Sequence, residues 1–268
     1  MFRQSFGIPA VWPLQIADIT SFIVFLFRSG VSHSTVKCYI SGLSFHSQIN
    51  NLPDPTNSYL IKKILEGFKR SKGPTTDTRL PITYQLLTNI IGSLGNVCTT
   101  VFETKLFAAA FSLAFHGCFR VGELTFDPRN AQNHHLTLKN IRFLRDTLDI
   151  FLGSSKTDQF GKGTQIKLNK LKDDITCPVF LLSDYIKQRP PGSGILFCHF
   201  DSSPVTAYQF SAVLKKTLNF LGINPTRYSA HSFRIGSASY GYLNGLNASE
   251  IKDLGRWKSK AYKRYLRC

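Results

Sequence analysis

The sequence predicts a mainly α-helical protein with a small antiparallel β-sheet, divided into two domains. Three observations predict it. Apolar residues recur at helical spacing through most of the 268 residues. One cluster of short, β-branched, alternating runs lies between residues 136 and 168. One stretch, GPTTDTRLPIT from Gly73 to Thr83, carries two prolines and no apolar period, so it reads as an exposed linker. The boundary places a helical domain at 1–76 and a second domain at 77–268.

The elements follow in order. Leu14 to Phe27 reads as an amphipathic helix rich in Ile and Phe. Ser34 to Asn50 reads as a second, with Ser32 or Ser34 able to cap it. A third, capped by Thr56 or Asn57, runs to about Lys72. The second and third carry Lys37, Lys62, Lys63, Lys69, Arg70 and Lys72; such a face either tracks phosphates or is simply solvated. Beyond the linker, helices are expected at about 84–95 and 101–117. The second, FETKLFAAAFSLAFHGCF, is apolar nearly all round and is expected to be buried. Strands are expected at Leu136 to Phe143, Thr147 to Leu152 and Thr164 to Leu168. Turns join them at Arg145-Asp146 and from Ser154 to Lys162. Helices return at about 177–188 and 207–221, and the last stretch is helical with breaks near Gly245 and Gly255.

Composition narrows the function. Lys and Arg number 33 against 16 Asp and Glu, giving a net charge of +17, and hydrophobic residues make up 43%. A real core is therefore expected, and the charge points to a polyanionic partner, most simply nucleic acid. The 6 cysteines form no C-x-x-C pair, which suits reduced, buried thiols in an intracellular protein. No stretch reads as a membrane span, because the apolar run from Leu106 to Phe119 is short and contains His116. No secretory pattern opens the chain. The acceptor pattern Asn247-Ala248-Ser249 is therefore taken as chance.

Several residues point to phosphate chemistry. His231 and Arg234 lie three apart, so on a helix they share a face and can meet one phosphate. A guanidinium is a permanent fork for phosphoryl oxygens, and a His donates a hydrogen bond or exchanges a proton. Arg120 follows the apolar run, where a charge needs a partner or a function; Glu123 can orient it. Lys156, in GSSKTDQFGKG, can protonate a leaving 5′ oxygen from a hairpin, with Lys162 as its rival. Tyr265 is the candidate nucleophile, since cations nearby favour both a phenolate and a pentavalent transition state; Tyr262 is the rival. Trp257 can donate its indole N–H or wall the pocket.

No single signal is specific, but their order is. Arg120 in GCFRVGEL, Lys156, His231 and Arg234 in AHSFRIGSAS, then Trp257 and Tyr265 in GRWKSKAYKRYLR resemble the tyrosine recombinase, or phage integrase-like, family. The wording looks especially like recombinases of eukaryotic mobile elements, the DIRS, Ngaro and Crypton groups. With Gly255 as anchor, Arg256 rather than Trp257 falls in the column where the family carries His or Trp. The resemblance implies the DNA breaking-rejoining fold, with the 1–76 helices as a core-binding, DNA-binding domain and 77–268 as the catalytic one. It implies site-specific cutting and rejoining through a 3′-phosphotyrosine, with no cofactor, metal or ATP. It further implies double-stranded DNA as partner, a tetramer on that DNA, and a nuclear location. The opening MFRQSFGI reads as the end of a helix whose start is absent, so a fragment of an element-encoded protein is expected.

Other chemistries lack their signatures. The sequence holds no G-x-S-x-G elbow, no phosphate loop and no H-E-x-x-H. His134-His135 and Cys198-His199 lack zinc spacing, and Asp173-Asp174 does not suggest a metal-dependent nuclease. Two alternatives share the resemblance: an inactive element-derived DNA-binding protein, and a type IB topoisomerase.

Overall fold

The computed structural model describes residues 2–9, 11–73, 77–128, 135–154, 158, 161–172, 175–192 and 194–267. The chain divides into two compact units, Met1–Asp77 and Thr78–Cys268.

The first unit holds helices α1 (Phe2–Ser5), α2 (Ile16–Arg28), α3 (His33–Ile49) and α4 (Tyr59–Lys72). A serine hydroxyl starts each of the last two by accepting a first-turn N–H: Ser32 from Thr35, Ser58 from Ile61. Ser58, not Thr56 or Asn57, therefore caps α4. Those two residues lie in a 3-10 turn, Pro55–Asn57, nucleated by the Asp54 carboxylate accepting from the Thr56 amide. Ile19, Ile23 and Leu26 form the inner stripe of α2 and pack with Val36, Ile40, Ile61 and Phe68. Lys37, Lys62, Lys63, Lys69 and Arg70 stay exposed.

The second unit is built around α6 (Val101–His116), in which every residue from Leu106 to Phe115 is buried. Around it lie α5 (Tyr84–Ser93), the short α7 (Val121–Leu124), α8 (Pro178–Gln188), α9 (Ala207–Phe220), α10 (His231–Leu243) and α11 (Ala248–Gly255). Thr100 caps α6 and Thr206 caps α9 through their hydroxyls. Asn247 caps α11 by accepting from the Ser249 and Glu250 amides, so the acceptor-like tripeptide is a helix start. Strands β1 (Ile141–Leu144), β2 (Thr147–Leu152) and β3 (Thr164–Asn169) form an antiparallel sheet in that order. Leu148, Ile150 and Leu152 face the core, while the opposite face carries the row Arg142, Asp149, Lys167. The fold is thus mainly helical with a small antiparallel sheet, as the sequence predicts. No helix among the described residues is long and apolar enough to cross a membrane.

Three expectations need correction. The first strand begins at Ile141, not Leu136: Leu138–Asn140 is a 3-10 turn, with Asn140 accepting from the Thr137 amide. The linker is only partly exposed. Leu80 donates to the Arg227 carbonyl, Ile82 donates to the Ser232 carbonyl, and Ile82 is fully buried. Cys118, Cys177 and Cys198 are buried free thiols, but Cys38 is exposed. Cys98 is half-buried, and burial together with Glu103 pushes its thiol up to about 11.

Gly236 on α10 makes the docking of Ile82 possible. A Cβ there would lie 1.8 Å from the Ile82 carbonyl oxygen, and backbone cannot swing aside as a side chain does. Gly236→Ala is expected to destabilise by about 1–3 kcal/mol. Thermal denaturation should show a midpoint lower by roughly 3–10 °C. An unchanged midpoint would mean the 80–83 segment is not held against α10.

Candidate active site

α6 ends at His116, and the chain turns through Gly117 and Cys118 before Arg120 opens α7. Cys118 has φ of 46°, a conformation rare outside glycine and concentrated where structure over-determines it. Its carbonyl oxygen accepts from Nη1 of Arg234 and from Nη2 of Arg256, the latter at 3.1 Å. The turn therefore draws together side chains from α10 and from the end of α11.

Arg234 is 1% exposed. Its Nη2 donates to the Gly255 carbonyl at 2.9 Å, and its buried Nε has no hydrogen-bond partner. It pairs with no carboxylate among the described residues. Its guanidinium carbon lies 4.9 Å from the Trp257 ring centroid and 5.7 Å from that of Tyr265. These distances suit cation–π contact. The Tyr265 ring centroid lies 4.8 Å from that of His231 and 4.6 Å from that of Trp257. Ser239 donates its hydroxyl to the Tyr265 carbonyl at 3.2 Å and so fixes the backbone there.

Arg120 stands beside this group. Its Nη1 donates to Glu123 Oε1 at 2.9 Å, and its amide donates to Oε2 at 2.8 Å. Glu123, 3% exposed, also receives Nη2 of Arg256 at 2.8 Å. One buried carboxylate thus serves two arginines, and a third arginine has none. The cluster carries a positive excess in a water-poor place, where an anion with several oxygens is the natural complement.

The structure brings His231, Arg234, Trp257 and Tyr265 into one group and sets Arg120 next to it. Lys156 lies outside the described residues. Its rival Lys162 is exposed, just ahead of β3. Tyr262 is 7% exposed and lies in a buried apolar cluster with Cys118, Ala238, Ile251 and Trp257, against which Tyr265 packs; it makes none of the ring contacts with His231 or Arg234 that Tyr265 makes. Sequence reasoning left Arg256 as an alternative for a column and missed its double contact. The only signal was its place directly after Gly255. A Cβ at Gly255 would fall 1.9 Å from the Trp257 ring, so that glycine lets the ring fold back on the turn.

The sequence model of the Phage integrase family matches residues 94–267, which include all of these side chains. The chain belongs to the phage integrase family. Within this tyrosine recombinase family, an integrase/recombinase XerD homolog of Selenomonas ruminantium is 23% identical over 225 residues. The match covers 80% of this chain and 61% of that protein, so the chain spans less than two thirds of this curated relative. Solved structures share the fold. The Tn1549 transposon integrase in complex with circular intermediate DNA is 15% identical at a TM-score of 0.62, over 98% of this chain and 84% of that one. The XerH site-specific recombinase bound to its difH substrate is 15% identical at 0.64, over 100% and 72%.

Proposed function

We propose that this integrase-family chain cuts and rejoins double-stranded DNA through a covalent tyrosine intermediate. The observation that carries the reading is Arg234, a buried guanidinium that faces Tyr265 with no acidic partner among the described residues. Desolvating a charge without a counterion is costly, and a scissile phosphate supplies the missing anion. Arg120 and Arg234 grip its non-bridging oxygens. Tyr265 gives up its phenol proton to His231 or solvent and attacks phosphorus, forming a 3′-phosphotyrosine as the P–O5′ bond breaks and the 5′ oxygen leaves as a hydroxyl. His231 assists with a hydrogen bond or proton, Trp257 walls the pocket, and Lys156 supplies the leaving-group proton. The phosphotyrosine keeps the bond energy of the phosphodiester, so resealing requires no ATP, and the arginines supply the positive charge that a divalent metal would otherwise bring to the transition state.

The exposed lysines of α3 and α4 support a DNA-binding role for the Met1–Asp77 unit, with Thr78–Cys268 as the catalytic unit. Site-specific exchange pairs two sites, hence a tetramer on DNA. The motif wording, together with likeness to a transposon integrase, supports a mobile-element origin of DIRS, Ngaro or Crypton type. Such an element places the enzyme in the nucleus.

The test begins with a duplex recovered from a randomised library by retention on the protein. It is resynthesised with a nick near its centre and incubated with the protein and EDTA. A protease-sensitive covalent band is expected on a denaturing gel, and peptide mass spectrometry should place the DNA on Tyr265. An adduct on Tyr262 would overturn the assignment. Tight, salt-steep binding without an adduct would leave a DNA-binding protein rather than an enzyme.

A further inference from the structure

Arg256 holds an unusual position for a surface-sequence residue in a Lys- and Arg-rich tail. It caps α11 in the left-handed region, with φ of 57°, and its side chain is 7% exposed. Nη1 donates to the Gly117 carbonyl at 3.1 Å. Nη2 donates to the Cys118 carbonyl and to Glu123 Oε2. Burial pushes its guanidinium below the ordinary arginine value; Glu123 opposes this, while Arg234 and Arg120 add to it. Two of the three partners of Arg256, Glu123 and the Cys118 carbonyl, are thus also partners of the two arginines proposed to grip the phosphate. Glu123 holds Arg120, and the Cys118 carbonyl holds Arg234.

We infer that Arg256 is a positioning residue, stapling Arg120 through Glu123 and Arg234 through the Cys118 carbonyl so that both face one phosphate. The inference rests on the reading of the site as a phosphodiester-cleaving centre. Both terminal nitrogens of Arg256 are committed to protein oxygens, so it acts through its neighbours. A lysine cannot replace it, because one ammonium cannot reach two carbonyls and a carboxylate in a fixed fork.

The test is a double-mutant cycle of Arg256→Lys and Glu123→Gln, read by single-turnover cleavage of the nicked duplex. Duplex affinity and melting midpoint are measured alongside. Each single change is expected to slow cleavage by about 100-fold, the scale of a misplaced catalytic group. Affinity should stay unchanged, and the double variant should be no slower than the slower single one. Arg256→Gln, which keeps two hydrogen-bonding groups without the charge, replaces Arg256→Lys if that variant does not fold. Losses that multiply would make Arg256 independent of Glu123. Weakened binding at an unchanged rate would make it a DNA contact. Either result overturns the staple, as does cleavage at the normal rate in both singles. Failure of the unaltered chain to form any adduct would instead remove the proposed function itself.

Discussion

Arg234→Met is expected to slow strand cleavage by about a thousandfold or more without lowering the melting midpoint. On the proposed function, the rate loss follows from removing a preorganised cation aimed at charge that develops in the transition state. A single such donor is commonly worth about 100- to 1000-fold, and a full guanidinium charge sits at the upper end. The stability expectation follows from burial. Arg234 is 1% exposed and has no carboxylate partner among the described residues. Replacing buried charge by an apolar side chain of similar volume is often neutral or stabilising, by up to about 4 kcal/mol. Of the carbonyls left behind, that of Cys118 keeps the Arg256 donor, while that of Gly255 loses the bond it receives from Arg234 at 2.9 Å. Methionine fills the volume against Trp257 without strain. Single-turnover cleavage and thermal denaturation of one preparation read both quantities. A large fall in midpoint together with the rate would make Arg234 a structural residue. Retained cleavage would remove it from the chemistry.

The same burial explains why parts of the structure were legible in sequence and others were not. α6 was plain because an apolar surface on every side of a helix has one solution, the centre of the unit. β2 was plain because Leu148, Ile150 and Leu152 alternate with partly exposed neighbours. The start of β1 was misplaced because Leu136 and Leu138 also fit strand alternation. The competing signal was local: Asn140 folds back on the Thr137 amide and tightens the backbone into a 3-10 turn. The linker was half misread because its partners, the carbonyls of Arg227 and Ser232, are remote in sequence. In the site, the order of Arg120, His231, Arg234 and Tyr265 could be read from spacing and flanking residues. The role of Arg256 could not. Its contact with Glu123 spans 133 residues, and its contact with Cys118 depends on a backbone angle that no side-chain pattern announces.

Tyr265→Phe carries the largest expected effect: complete loss of the covalent adduct, with duplex affinity and melting midpoint unchanged. The change deletes one oxygen and leaves the ring. The contacts that hold the residue are made by that ring and by the backbone, namely His231, Trp257 and Arg234 against the ring and Ser239 on the carbonyl. None of them involves the hydroxyl, so packing should survive while the nucleophile disappears. Tyr262→Phe supplies the contrast. That hydroxyl belongs to a ring packed among Cys118, Ala238, Ile251 and Trp257, and the Lys252 ammonium lies 5.9 Å from its centroid. Its removal is expected to leave adduct formation intact. A denaturing gel of the nicked duplex with each variant decides the matter. A band that persists in Tyr265→Phe and vanishes in Tyr262→Phe would require the two rings to exchange places before cleavage. That exchange would break the ring contacts of His231, Tyr265 and Trp257 on which the proposed chemistry stands.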